Sequence, residues 1–400
     1  MDKLIEECDV CIIGASISGN YLSYLLSQSN LNIIVVEEHA EVGLPFQCAG
    51  IISKKLNKLI NLPDNLILNR VKIAKLISPS GKSLKLSGNE EPYIIDRIAL
   101  DKLFYTKTQD SPNIRYFLGE KFKSLKYEKK LDKKIMIVQT SKRTIITKLL
   151  IGCDGPFTSV GKCVGIKNNV IYATQIRIRA KFDESEAVMY FNKRWNDLFG
   201  WIVPEGNSIF RIGLACSQNI NSNFKIFLKK IHIDFKQKID QQGGIIPIGI
   251  MKRVSFDNIL LIGDSACQVK ATTGGGVIML IIAAKYAANC ILKCFKYNNF
   301  SKKFIKKNYE KLCFAEIGKE LKIHYLIRTL LKNFTNKDFD DFFSLVENNN
   351  IKDIISFYGD MDFPKRLLFK LLKNAFIIKF LLKFLIKKPL ILIKNIFLLK

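Results

Sequence analysis

The chain has 400 residues, 48% of them hydrophobic, which is enough for two or three domains with a substantial core. Its formal net charge of +27 would suit a nucleic acid or an anionic membrane surface. Because no helix-turn-helix, zinc finger or RNA-binding aromatic motif accompanies that charge, we expect no nucleic-acid partner.

Cysteine and histidine usage predicts a reduced, metal-free protein of the cytoplasm. The ten cysteines follow a polar start rather than a secretory leader, so free thiols in a reducing compartment are expected. Cys8 and Cys11 form a C-x-x-C pair, but residues i and i+3 of a strand face opposite sides, which argues against a metal pair. The three histidines (His39, His232, His324) are widely separated, which argues against zinc.

The first 37 residues have the pattern of a nucleotide-binding βαβ unit. A strand, a helix and a second strand are predicted over residues 8–13, 20–29 and 33–36. A turn containing Gly14 and Gly19 joins the first strand to the helix, and Glu37 follows the second strand. Helix N–H groups at such a turn bind phosphate, and the acid binds a ribose hydroxyl. Ser16 stands where this fingerprint has its second glycine.

Residues 43–51 contain a proline and two glycines and are predicted to form a shaped loop. Cys48 lies between small residues of this loop, where it could approach a flat ring closely. The alternative is that Cys48 only fills a buried space.

Residues 66–149 are predicted to alternate short strands with one helix. The expected elements are a hairpin, a helix and a four-stranded meander (residues 66–87, 98–108, 114–118, 122–127, 135–140 and 144–149). Arg97 stands at the start of the helix, where the dipole disfavours a cation, so it either has an anionic partner or is solvated. A buried strand over residues 149–152 then leads into an Asp-Gly turn. Asp154 in this turn could contact a dinucleotide or cap the next helix.

Residues 170–215 are rich in predicted strands, two of which form a hairpin around the turn 205–207. Phe199 and Trp201 precede Pro204 in the first strand of this hairpin. Such aromatic side chains either belong to the core or form the wall of a cavity.

Residues 263–277 carry the strongest ligand-binding signal of the chain. They follow an apolar strand and precede a long apolar helix, predicted over residues 259–262 and 278–292. Three consecutive glycines end at Gly276, where a ligand can approach bare backbone at a helix start. Asp264 suits a ribose or ribityl hydroxyl, because a carboxylate only accepts hydrogen bonds.

The last 37 residues, 364–400, combine apolar residues with lysines at helical spacing. Lys379, Lys383 and Lys387 form one stripe of a predicted helix that Pro389 ends. Such a helix can lie on an anionic membrane surface with its lysines extended toward water. Alternatively, it packs on the core of the protein.

In this order, the motifs resemble those of the geranylgeranyl reductase family of FAD-dependent enzymes, and within it the archaeal enzymes that reduce digeranylgeranylglycerophospholipids. The resemblance covers roughly residues 8–300. It rests on Gly14 to Gly19 with Glu37, and on residues 45–50, 96–103, 152–155, 199–204 with Gly213, and 263–277. Ser16, Val203, Cys267 and Ala271 depart from the family pattern.

The resemblance implies an α/β fold with a Rossmann-like FAD-binding domain of the p-hydroxybenzoate hydroxylase type. The FAD-binding domain would be discontinuous, over residues 1–65, 93–165 and 252–300. An antiparallel-sheet substrate domain would comprise residues 66–92 and 166–251. Residues 301–400 would form a C-terminal helical region that ends in the membrane-associating tail.

The resemblance also implies the residues of the site. FAD would be bound by Gly14, Ser18, Gly19, Glu37, Cys48, Ala49, Gly50, Arg97, Phe122, Asp264, Gly276 and Val277. The substrate would contact Phe199, Trp201 and Pro204, and the catalytic residues would be Cys48 and Trp201. No metal is expected.

The implied activity is the saturation of isolated prenyl double bonds in geranylgeranyl phospholipids or their precursors. Flavin carries out the hydride transfer, and the protein positions the reactants and excludes water from the site. The electron donor could be NAD(P)H or reduced ferredoxin. The alternatives are an FAD-dependent monooxygenase of an aromatic or isoprenoid substrate and a non-catalytic membrane-bound flavoprotein. The enzyme is expected in the cytoplasm, peripherally associated with the membrane.

Overall fold

The computed structural model describes residues 4–88, 91–130, 133–251 and 253–388. The strands are β1 (Leu4–Ile13), β2 (Ile33–Val36), β3 (Ile51–Ile52), β4 (Ile67–Arg70), β5 (Ile73–Ile77), β6 (Ser83–Leu86), β7 (Tyr93–Ile95), β8 (Ile114–Phe117), β9 (Phe122–Lys130), β10 (Lys133–Thr140), β11 (Arg143–Gly152), β12 (Val170–Arg179), β13 (Glu186–Tyr190), β14 (Gly200–Gly206), β15 (Ile209–Cys216), β16 (Lys238–Pro247), β17 (Ser255–Phe256) and β18 (Ile259–Leu261). The helices are α1 (Ile17–Leu26), α2 (Leu56–Leu59), α3 (Arg97–Thr106), α4 (Ser159–Cys163), α5 (Ile220–Lys230), α6 (Val277–Lys296), α7 (Lys302–Ile305), α8 (Lys311–Cys313), α9 (Lys319–Lys332), α10 (Asn336–Asn348), α11 (Ile351–Tyr358), α12 (Lys365–Leu371) and α13 (Ala375–Lys387).

A mixed eight-stranded sheet forms the centre of the largest core. Its main path runs β17-β18-β11-β1-β2-β8, and β10 and β9 extend from β11. The strands β1, β2, β8, β11 and β18 are parallel to their neighbours along this path. Their carboxyl ends therefore lie at one edge of the sheet, which is where open α/β sheets bind ligands.

A seven-stranded sheet lies beside the first one, in the order β16-β12-β15-β14-β13-β5-β6. The hairpin predicted around residues 205–207 is confirmed, because β14 and β15 pair in antiparallel fashion. The predicted hairpin of β5 and β6 is confirmed as well. A small third sheet, β3-β7-β4, pairs strands from both sides of the predicted boundary near residue 92. We keep the predicted domain boundaries as a proposal.

Three local predictions differ from the structure. Helix α1 begins at Ile17, three residues before its predicted start, because Ser16 already has the extended backbone of an N-cap. Strand β8 does not belong to the meander of β9, β10 and β11, since it pairs in parallel with β2 at the far edge of the sheet. The two strands predicted over residues 144–152 are one continuous strand, β11.

The prediction that Cys8 and Cys11 face opposite sides is also wrong. The backbone N–H groups of Asp9 and Val10 both donate to the carbonyl of Asn32, at 2.8 and 3.1 Å, so the strand is irregular between the two cysteines. The thiols interact, and the hydrogen bond from Cys11 lowers the pKa of Cys8. Among the described residues, no group of three or more His, Cys, Asp and Glu side chains could hold a metal ion.

Helix α6 is the central helix of the core. By length and composition it is the one helix in the described ranges that could cross a membrane, yet 67% of its most apolar window is buried inside the protein. It packs against α1 and begins directly after the three glycines. Its apolar character therefore reflects burial in the core.

The described part of the C-terminal region, residues 301–388, is helical, as predicted. Helices α7, α8 and α9 follow one another without a loop and are separated by π-helical turns at Lys306–Glu310 and Phe314–Gly318. Helix α13 buries Ile377 and Phe384 against α10, while Leu382 and Ile386 remain exposed beside the lysine stripe. Residues 389–400 of the predicted tail, including Pro389, lie outside the described residues.

Candidate active site

Two cavities meet between the two large sheets. A polar cavity of about 700 Å³ lies at the carboxyl edge of the parallel strands. An apolar cavity of about 430 Å³ lies against the seven-stranded sheet. Both are lined by the same five residues where they join: Gln47, Cys48, Ile245, Ile246 and Gly274.

The glycines of the β1–α1 turn allow close backbone packing below the polar cavity. Gly14 has a φ of +104°, and a Cβ at this position would overlap the carbonyl oxygen of Cys153 on β11. A Cβ at Gly19 would overlap the carbonyl oxygen of Gly14. Gly14 and Ser18 line the cavity, whereas Gly19 lies beneath it and acts through packing.

Glu37 lies at the wall of the polar cavity, at the end of β2. One of its carboxylate oxygens accepts a hydrogen bond from the backbone N–H of Ala15 at 2.8 Å. The other accepts from the backbone N–H and the ring Nδ1 of His39, at 2.9 and 2.7 Å. The carboxylate is thus fixed in place and, with about four lone-pair sites, can accept one further hydrogen bond.

Arg97 is not solvated, because its guanidinium is buried between α3 and the turn before α1. It forms an ion pair with Asp101, at 3.2 Å between Nη1 and Oδ1, and it lies near Cys48. Burial opposes its charge, but Asp101 and Cys48 outweigh burial and keep the pKa of Arg97 raised. Its Nε has no hydrogen-bond partner among the described residues. Arg97 also lines the polar cavity, so its charge and this unpaired donor make that cavity suited to an anion.

Residues 263–277, which have the strongest ligand-binding motif of the sequence, lie at the floor of the polar cavity. Asp264, Gly276 and Val277 line the cavity, and α6 begins there without a side-chain cap. The first N–H groups of this helix are thus available to a ligand. Burial raises the pKa of Asp264 to about 6, although the charge of Arg97 opposes the shift.

Asp154 and Phe122 complete the polar cavity. The carboxylate of Asp154 accepts hydrogen bonds from the hydroxyl of Thr158 at 2.7 Å and from the N–H of Val160 at 2.9 Å. Of its two predicted roles, capping the next helix is therefore the one that the structure shows. Phe122 is buried at the start of β9 and contributes an apolar part of the wall.

The loop that carries Cys48 forms the junction between the cavities. The N–H of Gly50 donates to the sulfur of Cys48 at 3.3 Å. Gly50 has a φ of +77°, and a Cβ there would overlap the guanidinium of Arg211. Ala49 and Gly50 line the apolar cavity only, whereas Cys48 lines both.

Phe199 and Trp201 lie side by side in the apolar wall, with 6.4 Å between their ring centroids. The indole covers Gly213, its partner on β15, where a Cβ would overlap the ring. Pro204 lines neither cavity. Strand side chains alternate between faces, so residues 199, 201 and 203 face the cavity and Pro204 faces away.

Several residues of the apolar cavity carry no sequence signal. Gln175 on β12 accepts a hydrogen bond from Trp201 at 3.1 Å and donates one to the carbonyl of Cys48 at 3.1 Å. The far wall comes from the C-terminal region, through Ile355, Met361 and Leu367. No motif or periodicity distinguishes these apolar residues from ordinary core residues.

The C-terminal wall is joined to the glycine-rich turn by buried polar contacts. Lys270 and Asp362 form an ion pair at 2.6 Å, with side-chain exposures of 5% and 0%. His324 bonds Thr272 through Nδ1 at 2.6 Å and the carbonyl of Asp362 through Nε2 at 3.1 Å. Burial lowers the pKa of His324 to about 4, so this histidine is neutral.

These features fit FAD. A helix start without a cap and the unpaired Nε of Arg97 suit a pyrophosphate, and Glu37 suits a ribose hydroxyl. The glycines of the β1–α1 turn allow the backbone packing that supports this cavity, because a Cβ at Gly14 or Gly19 would overlap a carbonyl oxygen. The fold is of the p-hydroxybenzoate hydroxylase type, and the polar cavity is suited to FAD.

Comparison with known proteins confirms the resemblance predicted from the motifs. No family model matches the chain. It is 29% identical to an uncharacterized protein of Methanocaldococcus jannaschii over 92% of this chain and 96% of that protein. It is 24% identical to digeranylgeranylglycerophospholipid reductase 1 of Methanococcoides burtonii, over 88% of this chain and 91% of the reductase.

Solved structures confirm the predicted fold class. A geranylgeranyl bacteriochlorophyll reductase-like protein from Thermoplasma acidophilum matches with a TM-score of 0.80 and 21% identity, covering 95% of this chain and 100% of that one. The halogenase PltM, solved in complex with FAD, matches with a TM-score of 0.65 and 13% identity, covering 93% of this chain and 85% of that one.

Proposed function

We propose that this protein is an FAD-dependent reductase that saturates isolated double bonds in the geranylgeranyl chains of archaeal-type phospholipids or their precursors. The observation that carries the proposal is the junction of the two cavities at Cys48 and Gly274. A cofactor in the polar cavity would meet an apolar chain in the other cavity at this point. The digeranylgeranylglycerophospholipid reductases among the relatives, and the geranylgeranyl reductase-like structure, support the same assignment.

In this reaction, the protein binds and orients the reactants and excludes water from them. Bound FAD, once reduced, supplies the hydride. Phe199 and Trp201 hold the prenyl chain and exclude water from the junction. Cys48 brings a thiol proton to the junction, and the backbone N–H of Gly50 donates to its sulfur at 3.3 Å.

The cofactor assignment uses the side chains of the polar cavity. Gly14, Ser18 and Glu37 would hold the adenosine end of FAD, and Arg97 would face the pyrophosphate. Asp264 would accept from the ribityl chain. The first N–H groups of α6, at Gly276 and Val277, would stabilise the negative charge that reduction places on the flavin.

The outer face of α13 supports association with an anionic membrane. Phe376, Leu382 and Ile386 are exposed there at 54%, 56% and 78%, next to the lysine stripe, while the opposite face is packed on α10. The helix thus packs on the protein through one face, and the other face is the one that we propose contacts the membrane. Such a surface would bring the enzyme to a substrate that resides in the lipid bilayer.

The membrane proposal is tested by replacing Lys379, Lys383 and Lys387 with glutamine. Each well-placed lysine contributes about 1 kcal/mol on an anionic surface, so partitioning onto phosphatidylserine liposomes should fall roughly tenfold or more. A control that replaces three exposed lysines elsewhere (Lys123, Lys126 and Lys142) removes the same charge. Equal partitioning of the two triple variants would contradict a specific role for α13.

The activity is tested anaerobically by mass spectrometry. The dithionite-reduced enzyme is incubated with digeranylgeranylglycerophospholipid, and the lipid is expected to gain two hydrogen atoms per saturated bond. Lipid of unchanged mass, together with a flavin that stays reduced, would favour a non-catalytic flavoprotein. An FAD monooxygenase would instead consume oxygen in proportion to substrate. The same assay with NADPH or with reduced ferredoxin in place of dithionite identifies the electron donor.

A further inference from the structure

Two side chains of the seven-stranded sheet donate hydrogen bonds to consecutive carbonyl groups of the loop that carries Cys48. Gln175 donates to the carbonyl oxygen of Cys48 at 3.1 Å. Arg211 donates through Nη1 to the carbonyl oxygen of Ala49 at 2.9 Å. A loop that has few backbone bonds of its own is therefore fixed by two side chains of another sheet.

Arg211 makes three different contacts around this loop. Its side chain is 3% exposed and lies on β15. Besides Ala49, it contacts the ring of Phe46, with 4.9 Å between Cζ and the ring centroid. Gly50 lies so close that a Cβ would overlap the guanidinium. Arg211 thus contacts residues on both sides of Cys48.

Glu205 neutralises Arg211 and fixes its orientation. Arg211 Nε donates to Glu205 Oε2 at 2.8 Å. Burial opposes the ionisation of Glu205, but hydrogen bonds and charges from Arg177 and Arg211 outweigh it and lower the pKa of the carboxyl group. The buried guanidinium is therefore paired, and its second arm remains free for the loop.

We propose that Arg211 is a positioning residue for Cys48. It holds the loop so that the thiol stays at the junction of the cavities, next to Arg97. Arg211 does not line either cavity, so it acts through the loop and not on a substrate. The proposal concerns the proposed active site, but the placement of the thiol can be measured without turnover.

The test is the rate at which iodoacetamide alkylates Cys48, followed by peptide mass spectrometry on the protein as purified. In Arg211→Leu, the loop loses a hydrogen bond from a charged group, and we expect alkylation of Cys48 to become roughly tenfold faster. Cys163, which is exposed on α4, serves as the internal reference and should react at an unchanged rate.

Arg177→Leu is the matched control. Arg177 also pairs with Glu205, through Nε at 2.8 Å, but its other partner is Asp240 and it does not touch the loop. Both variants remove one arginine from the same carboxylate, but only Arg211→Leu also removes a contact with the loop. The rate at Cys48 in Arg177→Leu should match the wild type.

Arg211→Lys keeps the charge but has a single nitrogen, which cannot serve Glu205 and Ala49 with the same geometry. We expect partial rescue, with a rate between those of wild type and Arg211→Leu. If Arg211→Leu does not fold, Arg211→Lys decides alone. An unchanged Cys48 rate in the Arg211 variants, or an equal increase at Cys48 and Cys163, would overturn the proposal. Lack of reductase activity would leave this result unaffected and would instead count against the proposed function.

Discussion

The polar and the apolar cavity differ in how the chain builds them. The polar cavity lies at the ends of parallel strands, and short turns with glycine or acidic residues form most of it. The apolar cavity is enclosed by strands of the second sheet and by residues 355–367, which are far apart in sequence. Binding of a charged cofactor restricts residue types at fixed positions, whereas binding of an apolar chain requires only apolar surface. The residues of the polar cavity can therefore be predicted from the sequence, and those of the apolar cavity cannot.

The largest expected effect is at a glycine below the polar cavity. In Gly14→Ala, the new methyl group would overlap the carbonyl oxygen of Cys153, so we expect loss of bound flavin and a destabilisation of about 3 kcal/mol or more. Gly81→Ala is the control. Gly81 has a similar φ of +96° but nothing within 4 Å of a Cβ, so it should cost only about 1 kcal/mol of strain. Flavin absorbance and thermal unfolding of both variants test this pair, and a normal flavin content in Gly14→Ala would refute it.

The next effect concerns the buried ion pair of Lys270 and Asp362, which joins the glycine-rich turn to the C-terminal wall of the apolar cavity. Lys270→Met leaves the buried carboxylate of Asp362 with only Lys55, whose Nζ is 3.8 Å from Asp362 Oδ2, and should lower the free energy of unfolding by up to about 3 kcal/mol. Lys102→Met removes an exposed cation from the exposed carboxylate of Glu41 and should cost about 0–1 kcal/mol.

The double variant Lys270→Met/Asp362→Leu distinguishes the effect of an unpaired buried charge from the effect of losing the ion pair as a whole. Replacement of both charges by apolar groups removes the unpaired carboxylate, so most of the stability should return. Urea unfolding measures all three variants. A double variant as unstable as Lys270→Met would show that the ion pair is not the source of the effect.

A smaller effect is expected in the apolar cavity. In Gly213→Ala, the new methyl group would displace the indole of Trp201 into the cavity, so kcat/KM for the geranylgeranyl lipid should fall roughly tenfold or more while bound flavin is unchanged. Gly243 lines the same cavity, and the nearest atom to a Cβ there is 3.9 Å away. Gly243→Ala should therefore keep full activity. Equal activity of the two variants would contradict the placement of Trp201.

The smallest expected effect is on how stability changes with pH. Asp264 and His324 should contribute pH dependences of opposite sign. Asp264 in the folded flavin-free protein keeps its proton up to a pKa of about 6, so its contribution to stability is lost as pH rises from about 4 to 6. His324 has a folded pKa of about 4, so the unfolded chain binds its proton first and stability is lost as pH falls from about 6.5 to 4.

In the wild type, these two contributions should nearly cancel between pH 4 and 6. Relative to wild type, Asp264→Asn should show a stability that rises with pH by up to about 1.4 kcal/mol per unit, and His324→Gln should show the reverse. Urea unfolding of the flavin-free proteins at a series of pH values measures both slopes. Slopes of the same sign in the two variants would contradict the assignment.

The fold and the polar cavity could be predicted largely from sequence. Gly14, Glu37, Asp264 and Gly276 belong to short patterns whose spacing is set by a strand, a turn and a helix. Arg97 begins α3 as predicted, and its ion pair with Asp101 is a local i,i+4 contact within that helix. Its proximity to Cys48, in contrast, depends on tertiary packing. Pro204 shares the motif of Trp201 yet faces away from it, because strand alternation assigns neighbouring residues to opposite faces.

The rest of the site depends on tertiary contacts that leave no local signal. Arg211 on β15 and Gln175 on β12 reach the Cys48 loop only because the second sheet packs against it. Asp362 lies in a C-terminal region without a matched motif, and its role appears only when Lys270 is seen beside it. Ile355 and Leu367 are ordinary apolar residues of amphipathic helices.

The central claim is that a flavin in the polar cavity meets a prenyl chain at Cys48 and Gly274. Stopped-flow absorbance of the dithionite-reduced, oxygen-free enzyme tests it most directly. Mixing with digeranylgeranylglycerophospholipid should reoxidise the flavin, and mixing with the fully saturated lipid should not. A flavin that stays reduced with both lipids, in a protein that binds both, would contradict the claim.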